Sequence, residues 1–177
     1  MSDDLTAFIR SIPDFPKKGI VFRDITTLLK DKEAFARAID LLYEHYRGAQ
    51  IDKVVSVESR GYILGAPLAY ELGAGFVPIR KPGKLPAATL RQEYALEYGT
   101  DAVEIHRDAV AAGERVLLHD DLLATGGTAL AACRLVEKLG GTVAGASFLI
   151  ELTFLQGRRR LSPYDIFSLI KYDTEGS

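Results

Sequence analysis

Short apolar segments alternate with helical segments along most of this chain, and this alternation restricts its fold more than any other feature. The apolar segments read K-V-V-S-V at 53–57, G-F-V-P-I at 75–79, R-V-L-L-H at 115–119 and V-A-G-A-S-F-L-I at 143–150. Strands that are apolar on both faces and alternate with helices are typical of a parallel sheet covered on both sides. The sequence therefore predicts an α/β fold, with a doubly wound, mostly parallel central sheet and helices on both faces.

The helical segments carry their own signals. Asp31 is suited to cap a helix over 32–46, in which apolar residues recur at helical spacing. A second helix is predicted around 67–72, and a third over 129–139, where two glycines end it. No internal repeat, low-complexity stretch or linker divides the chain, so residues 1–177 are expected to form one domain.

Polar side chains follow three of the predicted strands directly. These are the segments Glu58–Gly61, Arg80–Lys84 and Asp120–Thr128. In parallel α/β sheets, ligands bind at the carboxyl ends of the strands. We therefore expect a ligand site where these three segments meet.

The stretch H-D-D-L-L-A-T-G-G-T at 119–128 is the most informative of the three. Its second half, Ala124–Thr128, is typical of a glycine-rich turn before a helix, where N–H groups, the helix dipole and hydroxyls attract a phosphate. A bare T-G-G-T would fit a simple capped turn equally well. Asp120 and Asp121 alter that balance, because two carboxylates beside a phosphate need a ligand that also presents hydroxyl donors or a metal ion. A phosphorylated sugar meets both requirements, with its phosphate in the loop and its diol at the acids.

Several other classes of protein are disfavoured. The chain has no G-x-x-x-x-G-K-[ST] loop and no G-x-G-x-x-G after its first strand, so neither a nucleoside triphosphatase nor a dinucleotide site is indicated. Lys and Arg total 22 against 24 for Asp and Glu, a net charge of −2, so no basic field favours nucleic acid or an anionic membrane. The N-terminus lacks a signal peptide pattern, no apolar run is long enough to span a bilayer, and Cys133 is the single cysteine. We expect a cytoplasmic protein with no membrane or nucleic-acid partner.

The segment V-L-L-H-D-D-L-L-A-T-G-G-T resembles the phosphoribosyl pyrophosphate signature of the type I phosphoribosyltransferases. Further segments are similar to the adenine phosphoribosyltransferase family: P-D-F-P-K-K-G-I-V-F-R-D-I-T at 13–26, V-E-S-R-G at 57–61, R-K-P-G-K-L-P at 80–86, L-E-Y-G at 96–99 and I-E-L-T at 150–153. The resemblance extends from about Phe8 to Tyr172. One departure is His119, where the signature usually has a small branched apolar residue, and we interpret it as a change in packing near Asp120.

This resemblance implies transfer of a phosphoribosyl group from phosphoribosyl pyrophosphate to adenine, with AMP and pyrophosphate as products. Asp120 and Asp121 would stabilise positive charge on the sugar, and Mg²⁺ is expected to bind mainly through the substrate, with no dedicated protein ligands. A cis peptide bond is expected at Glu58–Ser59. The cations expected on the leaving pyrophosphate are Arg60, Arg80, Lys81 and Lys84. The residues expected around the sugar phosphate are Ala124, Thr125, Gly126, Gly127 and Thr128.

By the same resemblance, an N-terminal segment of about residues 1–30 forms a hood that recognises the base. The main chain of Val21 would accept from the exocyclic amine of adenine, and Arg23 would fix the ring. Phe22 and Leu122 would cover the two faces of the ring. A carbonyl acceptor selects adenine, because the oxo group of hypoxanthine or guanine cannot donate to it.

Residues 82–105 form a polar stretch with two glycines and two prolines, which we interpret as a flexible lid loop and not as a buried strand. A closed lid would keep water away from a reactive sugar cation. By resemblance, Glu97 acts as an acid or hydrogen-bond partner at a purine imidazole nitrogen, and Tyr98 completes the cover.

Two features remain without a chemical role. Arg158–Arg160 is interpreted as a solvated basic run or part of a subunit contact, and the polar C-terminal tail follows no recognisable pattern. A homodimer is expected from the family. Two alternatives stay open: a related transferase for another base, and a non-catalytic sensor of phosphoribosyl pyrophosphate that regulates transcription. The sensor is disfavoured because the chain has no spare length or basic stripe for a DNA-reading element.

Overall fold

The computed structural model describes residues 4–176. Its strands are β1 (Arg10–Pro13), β2 (Val21–Asp24), β3 (Lys53–Val57), β4 (Gly75–Ile79), β5 (Thr89–Ala95), β6 (Thr100–His106), β7 (Arg115–Leu123), β8 (Thr142–Leu152) and β9 (Ile166–Tyr172). Its helices are α1 (Thr26–Leu29), α2 (Lys32–Tyr46), α3 (Gly61–Glu71), α4 (Gly127–Lys138) and α5 (Gly157–Arg160), with 3₁₀ turns at Leu5–Phe8 and Thr153–Leu155. Residues 1–3 of the predicted hood and Ser177 of the predicted domain lie outside the described residues.

Five strands form the central sheet in the order β4–β3–β7–β8–β9, and every neighbouring pair is parallel. Parallel neighbours need crossover connections, which α3 and α4 supply. The predicted α/β class is therefore confirmed. No helix among the described residues is long and apolar enough to cross a membrane.

Both faces of the sheet are buried, which explains its uniformly apolar strands. On one face Leu42 of α2 and Leu64 of α3 pack with Leu117 of β7. On the other face Leu135 of α4 packs with Leu118, the next residue along β7. Successive side chains of the strand thus enter different cores.

The predicted start of α2 is confirmed, because the Asp31 carboxylate accepts from the backbone N–H groups of Glu33 and Ala34 at 3.1 and 2.9 Å. The start of α3 was predicted too late. The helix begins at Gly61 and contains Pro67. Glycine and proline lower helix propensity, but packing of this helix on the sheet overrides that preference.

Strand β7 is longer than predicted. It runs to Leu123, so Asp120 and Asp121 belong to the strand and do not follow it. The prediction that 82–105 is a loop without a buried strand is also wrong. This stretch contains β5 and most of β6, which pair as an antiparallel hairpin. Val103 and Ile105 are fully buried in the core beside α4, so this stretch does include a buried strand.

Candidate active site

An open cavity of about 430 Å³ lies at the carboxyl ends of β3 and β7, against the start of α4. Its walls include Val57–Arg60, Lys81 and the continuous segment 120–129. The structure thus brings the acidic pair, the complete predicted phosphate loop and Leu122 into one place. Two of the four predicted leaving-group cations, Arg60 and Lys81, also line it.

The acidic pair is tied to the start of α3. Arg60 Nε donates to Asp121 Oδ2 at 2.6 Å, and the backbone N–H of Asp121 donates to Asp120 Oδ1 at 2.8 Å. A Cβ atom at Gly61 would lie 2.8 Å from Asp120 Oδ1, so only glycine lets α3 approach the acid this closely. Burial raises the pKa of Asp120 well above its ordinary value, and the nearby charge of Asp121 raises it further.

The phosphate loop rests on α5. Gly126, the residue before α4, has a φ of 85°, and a Cβ atom there would lie 2.8 Å from the carbonyl oxygen of Gly157. A Cβ atom on Gly157 would in turn lie 2.3 Å from the carbonyl oxygen of Ala124. No side chain caps α4, so Thr128 is not used as a cap. Among the described residues, no side chain accepts from the first N–H groups of this helix, which are suited to an anion.

Glu58 contacts three of the predicted cationic residues, Arg80, Lys81 and Lys84, at the edge of the cavity. The peptide bond between Glu58 and Ser59 is cis, as predicted. The Glu58 carboxylate accepts from Arg80 at 3.1 and 3.2 Å and from the backbone N–H of Lys81 at 2.6 Å, and Lys84 Nζ lies 3.5 Å away. Burial by itself would raise the pKa of Glu58, but these hydrogen bonds and cations hold it below its ordinary value. Arg80 and Lys84 thus lie beside the cavity without lining it.

Lys81 has a partner of its own on the hairpin. Its ammonium group pairs with Asp101 of β6 and also contacts the Tyr94 hydroxyl at 3.2 Å. Sequence analysis assigned no role to Asp101 or to the Glu58 side chain. No local pattern could reveal them, because each meets its cation only after remote segments have folded together.

Strand β2, which belongs to the predicted hood, lies beside the cavity. The Arg60 guanidinium carbon lies 5.6 Å from the centre of the Phe22 ring, and the edge of Phe15 packs on that ring at 5.2 Å. Phe22 is half-buried and does not itself line the cavity. The structure therefore places the predicted aromatic wall next to the acidic end of the site.

Arg23 is buried and its guanidinium lies away from the cavity. It donates to Ser11 Oγ at 2.6 Å and to the backbone carbonyl of Glu175 at 2.8 Å, and it stacks 3.8 Å above the Tyr172 ring. The backbone N–H of Val21 donates to Glu175 Oε1 at 2.7 Å. The C-terminal tail therefore contacts β2 of the predicted hood, a relationship for which the sequence carried no signal.

Glu97 and Tyr98 lie at the tip of the β5–β6 hairpin and are not brought into the cavity of the acidic pair. Glu97 lines a second cavity of about 410 Å³, together with Arg160 and with Thr125 and Thr128 of the phosphate loop. Tyr98 is 85% exposed. The tip of the hairpin is therefore exposed to solvent.

Arg158 is exposed, as the predicted solvated run implies, but its guanidinium also has a structural partner. Its guanidinium makes two hydrogen bonds to the buried carboxylate of Glu151, at 3.0 and 2.6 Å, and Ser168 Oγ donates to the same carboxylate. Bidentate pairs of this kind hold a fixed geometry. Arg158 therefore anchors α5, and with it the support of the phosphate loop, to the end of β8.

Metal binding by protein side chains alone is not indicated. Within residues 4–176 no group of three or more His, Cys, Asp or Glu side chains is arranged to hold a metal ion. Asp120 and Asp121 still offer the hard oxygen ligands that Mg²⁺ prefers. The pair fits a Mg²⁺ ion that takes its other ligands from a substrate.

Comparison with known proteins agrees with this geometry. Residues 24–176 match the phosphoribosyl transferase domain, which is the class that the parallel sheet and the cavity define. The chain is 62% identical over 169 residues to adenine phosphoribosyltransferase of Chloroflexus aurantiacus, covering 96% of this chain and 98% of that protein. The chain belongs to the adenine phosphoribosyltransferase family.

Solved structures of relatives share the fold. The crystal structure of adenine phosphoribosyltransferase from Thermoanaerobacter pseudethanolicus has a TM-score of 0.93 at 59% identity, covering 96% of this chain and 99% of that one. The enzyme from Saccharomyces cerevisiae, crystallised with adenine and an imino-altritol bisphosphate, has a TM-score of 0.88 at 40% identity, covering 94% and 96%.

Proposed function

We propose that this chain transfers the phosphoribosyl group of phosphoribosyl pyrophosphate to adenine and releases AMP and pyrophosphate. The observation that carries the proposal is the junction of an acidic pair and a phosphate loop in one cavity. A sugar diol and a phosphate are the two groups that such a junction holds. The names of the relatives support adenine as the acceptor.

The acidic pair is proposed to act on the sugar. Displacement at the anomeric carbon builds positive charge on the ribose and negative charge on the departing pyrophosphate. Asp120 and Asp121 would hold the ribose hydroxyls and stabilise that positive charge. Mg²⁺ would bind mainly through the substrate and would neutralise negative charge on the pyrophosphate, with Asp120 and Asp121 as the nearby residues that could contribute oxygen ligands.

The leaving group is proposed to take over cations that are already oriented. Arg60 is paired with Asp121, and Arg80 and Lys84 with Glu58. Lys81 is paired with Asp101. Carboxylate pairing would hold the cations in a fixed orientation before the substrate binds, and such preorganisation would lower the energy of the charged transition state.

The hood is proposed to select the base. The Val21 carbonyl would accept from the amine of adenine, with Phe22 and Leu122 on the two faces of the ring. Arg23 would fix the ring through the strand that carries Val21 and Phe22, since its own guanidinium is engaged by Glu175 and its neighbours.

The hairpin tip is proposed to close over the bound substrates. Glu97 would reach an imidazole nitrogen of the purine, and Tyr98 would cover the site from solvent. The exposure of Tyr98 supports a tip that is free to move.

A competition assay tests the proposal. Purified protein, Mg²⁺ and phosphoribosyl pyrophosphate are incubated with adenine, hypoxanthine, guanine and xanthine together, and nucleotides are separated by chromatography. AMP as the sole product is expected. Formation of a different nucleotide would support the proposed sugar site but contradict the proposed selection of adenine by the hood. Binding of phosphoribosyl pyrophosphate without any nucleotide would favour the regulatory sensor.

We further propose a cytoplasmic homodimer. The buried free thiol of Cys133 suits a reducing compartment. Ile63 and Tyr70 lie two turns apart on α3 with exposures of 39% and 83%, so this helix presents an apolar face that a second copy would cover. Light scattering during size-exclusion chromatography should give twice the chain mass, and a monomeric mass would contradict the dimer.

A further inference from the structure

Arg160, the last residue of α5, reaches towards the phosphate loop from the side of the second cavity. Its Nη1 atom lies 3.3 Å from the position of a Cβ atom built on Gly127, the first residue of α4. The same cavity is lined by Thr125 and Thr128, whose hydroxyls belong to the loop. A guanidinium group thus stands beside the predicted position of the sugar phosphate.

This guanidinium is unpaired, in contrast to the other cations of the site. Arg60 and Lys81 each contact a carboxylate, and Arg158, two residues before Arg160, is paired with Glu151. Within residues 4–176, Arg160 has no side-chain hydrogen bond and no ion pair. A cation at the start of a helix is repelled by the positive end of the helix dipole. An anion bound between the Arg160 guanidinium and the N-terminus of α4 would be attracted by both groups and would offset that repulsion.

We propose that Arg160 binds the 5′-phosphate of the ribose, together with the N–H groups at the start of α4. The inference rests on the proposed function and adds a cationic residue to its sugar-phosphate site. The Arg158–Glu151 pair and the contact of Gly157 with Ala124 hold α5 in place, so Arg160 projects from a fixed support.

Arg160→Ala, with Arg159→Ala as matched control, tests the proposal. Arg159 is an exposed neighbour on the same helix and lines neither cavity. Loss of a charge-assisted hydrogen bond to phosphate should raise the KM for phosphoribosyl pyrophosphate about tenfold or more, with little change in kcat or in the KM for adenine. Arg160→Lys should recover part of the loss, because it keeps the charge without the fork of donors.

Direct binding of ribose 5-phosphate, measured by calorimetry, gives a readout that does not depend on catalysis. We expect Arg160→Ala to weaken this binding while Arg159→Ala leaves it unchanged. Equal affinities in the two variants would overturn the inference even if the wild-type protein makes AMP. A third outcome is that Arg160→Ala alone weakens binding but the wild-type protein makes no AMP. That result would support the phosphate contact of Arg160 and contradict the proposed reaction.

Discussion

Arg60 and Asp121 form an ion pair inside the cavity, with Arg60 Nε 2.6 Å from Asp121 Oδ2. The resemblance assigns them to opposite ends of the substrate, Arg60 to the pyrophosphate and Asp121 to the sugar. Their contact means that an incoming substrate replaces an existing partner of each side chain. The charges of Arg60 and Asp121 therefore neutralise each other before substrate binds, and the pair keeps both groups oriented.

Asp121→Asn should lower kcat by about 10²-fold or more, because the carboxylate stabilises charge that exists only in the transition state. The KM for adenine should change little. Steady-state kinetics with both substrates checks this, and Asp108→Asn, an exposed carboxylate outside both cavities, serves as control. An unchanged kcat would remove Asp121 from the proposed chemistry.

Glu97→Gln should lower kcat by about 10²-fold, since removal of a general acid has effects of that size. Glu93→Gln is the matched control, because Glu93 lies on the same hairpin and is exposed. The KM for phosphoribosyl pyrophosphate should be unaffected in both variants. If the two variants retain the same kcat, Glu97 has no part in proton transfer.

Gly157→Ala should weaken the phosphate loop. The added methyl group would lie 2.3 Å from the carbonyl oxygen of Ala124, a clash that requires the loop or α5 to shift. We expect a loss of about 1–3 kcal/mol in the free energy of unfolding and a raised KM for phosphoribosyl pyrophosphate. Chemical denaturation and kinetics measure the two effects. Gly48→Ala, where a Cβ atom meets nothing within 4 Å, should leave both unchanged, and equal behaviour of the two variants would contradict the packing argument.

Deletion of residues 174–177 should raise the KM for adenine about fivefold or more, because β2 loses the acceptor of the Val21 N–H group and a partner of Arg23. The KM for phosphoribosyl pyrophosphate should stay near that of the full chain, since the tail does not line either cavity. A deletion variant with normal adenine kinetics would show that the tail does not position the hood.

His119→Val should alter the pH dependence of stability. His119 is buried, its Nδ1 lies 2.9 Å from Ser147 Oγ, and Nε2 has no partner among the described residues. Burial lowers the pKa of His119 from 6.5 to about 4. The folded state therefore favours the neutral ring, and the wild-type protein should lose up to roughly 3 kcal/mol of stability as pH falls from 6.5 to about 4.

The variant keeps His45 and His106, so subtracting its urea unfolding curves from those of the wild-type protein isolates His119. As pH falls from 6.5 to about 4, the free energy of unfolding of the wild-type protein should decrease relative to that of the variant. A difference that is independent of pH would show that His119 is not forced to remain neutral.

Local patterns were sufficient for much of the fold. The apolar strands, the cap at Asp31 and the glycine-rich turn after β7 depend on neighbours within a few residues, so a single sequence reveals them. They also located the cavity, because parallel strands bring their carboxyl ends to one edge. The β5–β6 hairpin was not predicted, because the glycines, prolines and charged residues of 82–105 are typical of a loop, whereas only a few positions of β6 are apolar and buried.

The partners of the site residues were not predictable in this way. Glu175 lies 154 residues from Val21, and Arg60 lies 61 residues from Asp121. The two glycines that allow α5 to support the phosphate loop also meet from separate elements, Gly126 before α4 and Gly157 after β8.

By itself the sequence determined the class of fold, the edge of the sheet at which a ligand binds and the chemical character of that ligand. These follow from periodicity, turn residues and charge, which are short-range properties of a chain. Tertiary structure alone decided which carboxylate holds which cation, that the tail reaches β2 and that Arg160 has no ion pair within residues 4–176. Those outcomes depend on strand order and register, which bring residues that are distant in sequence within hydrogen-bonding distance.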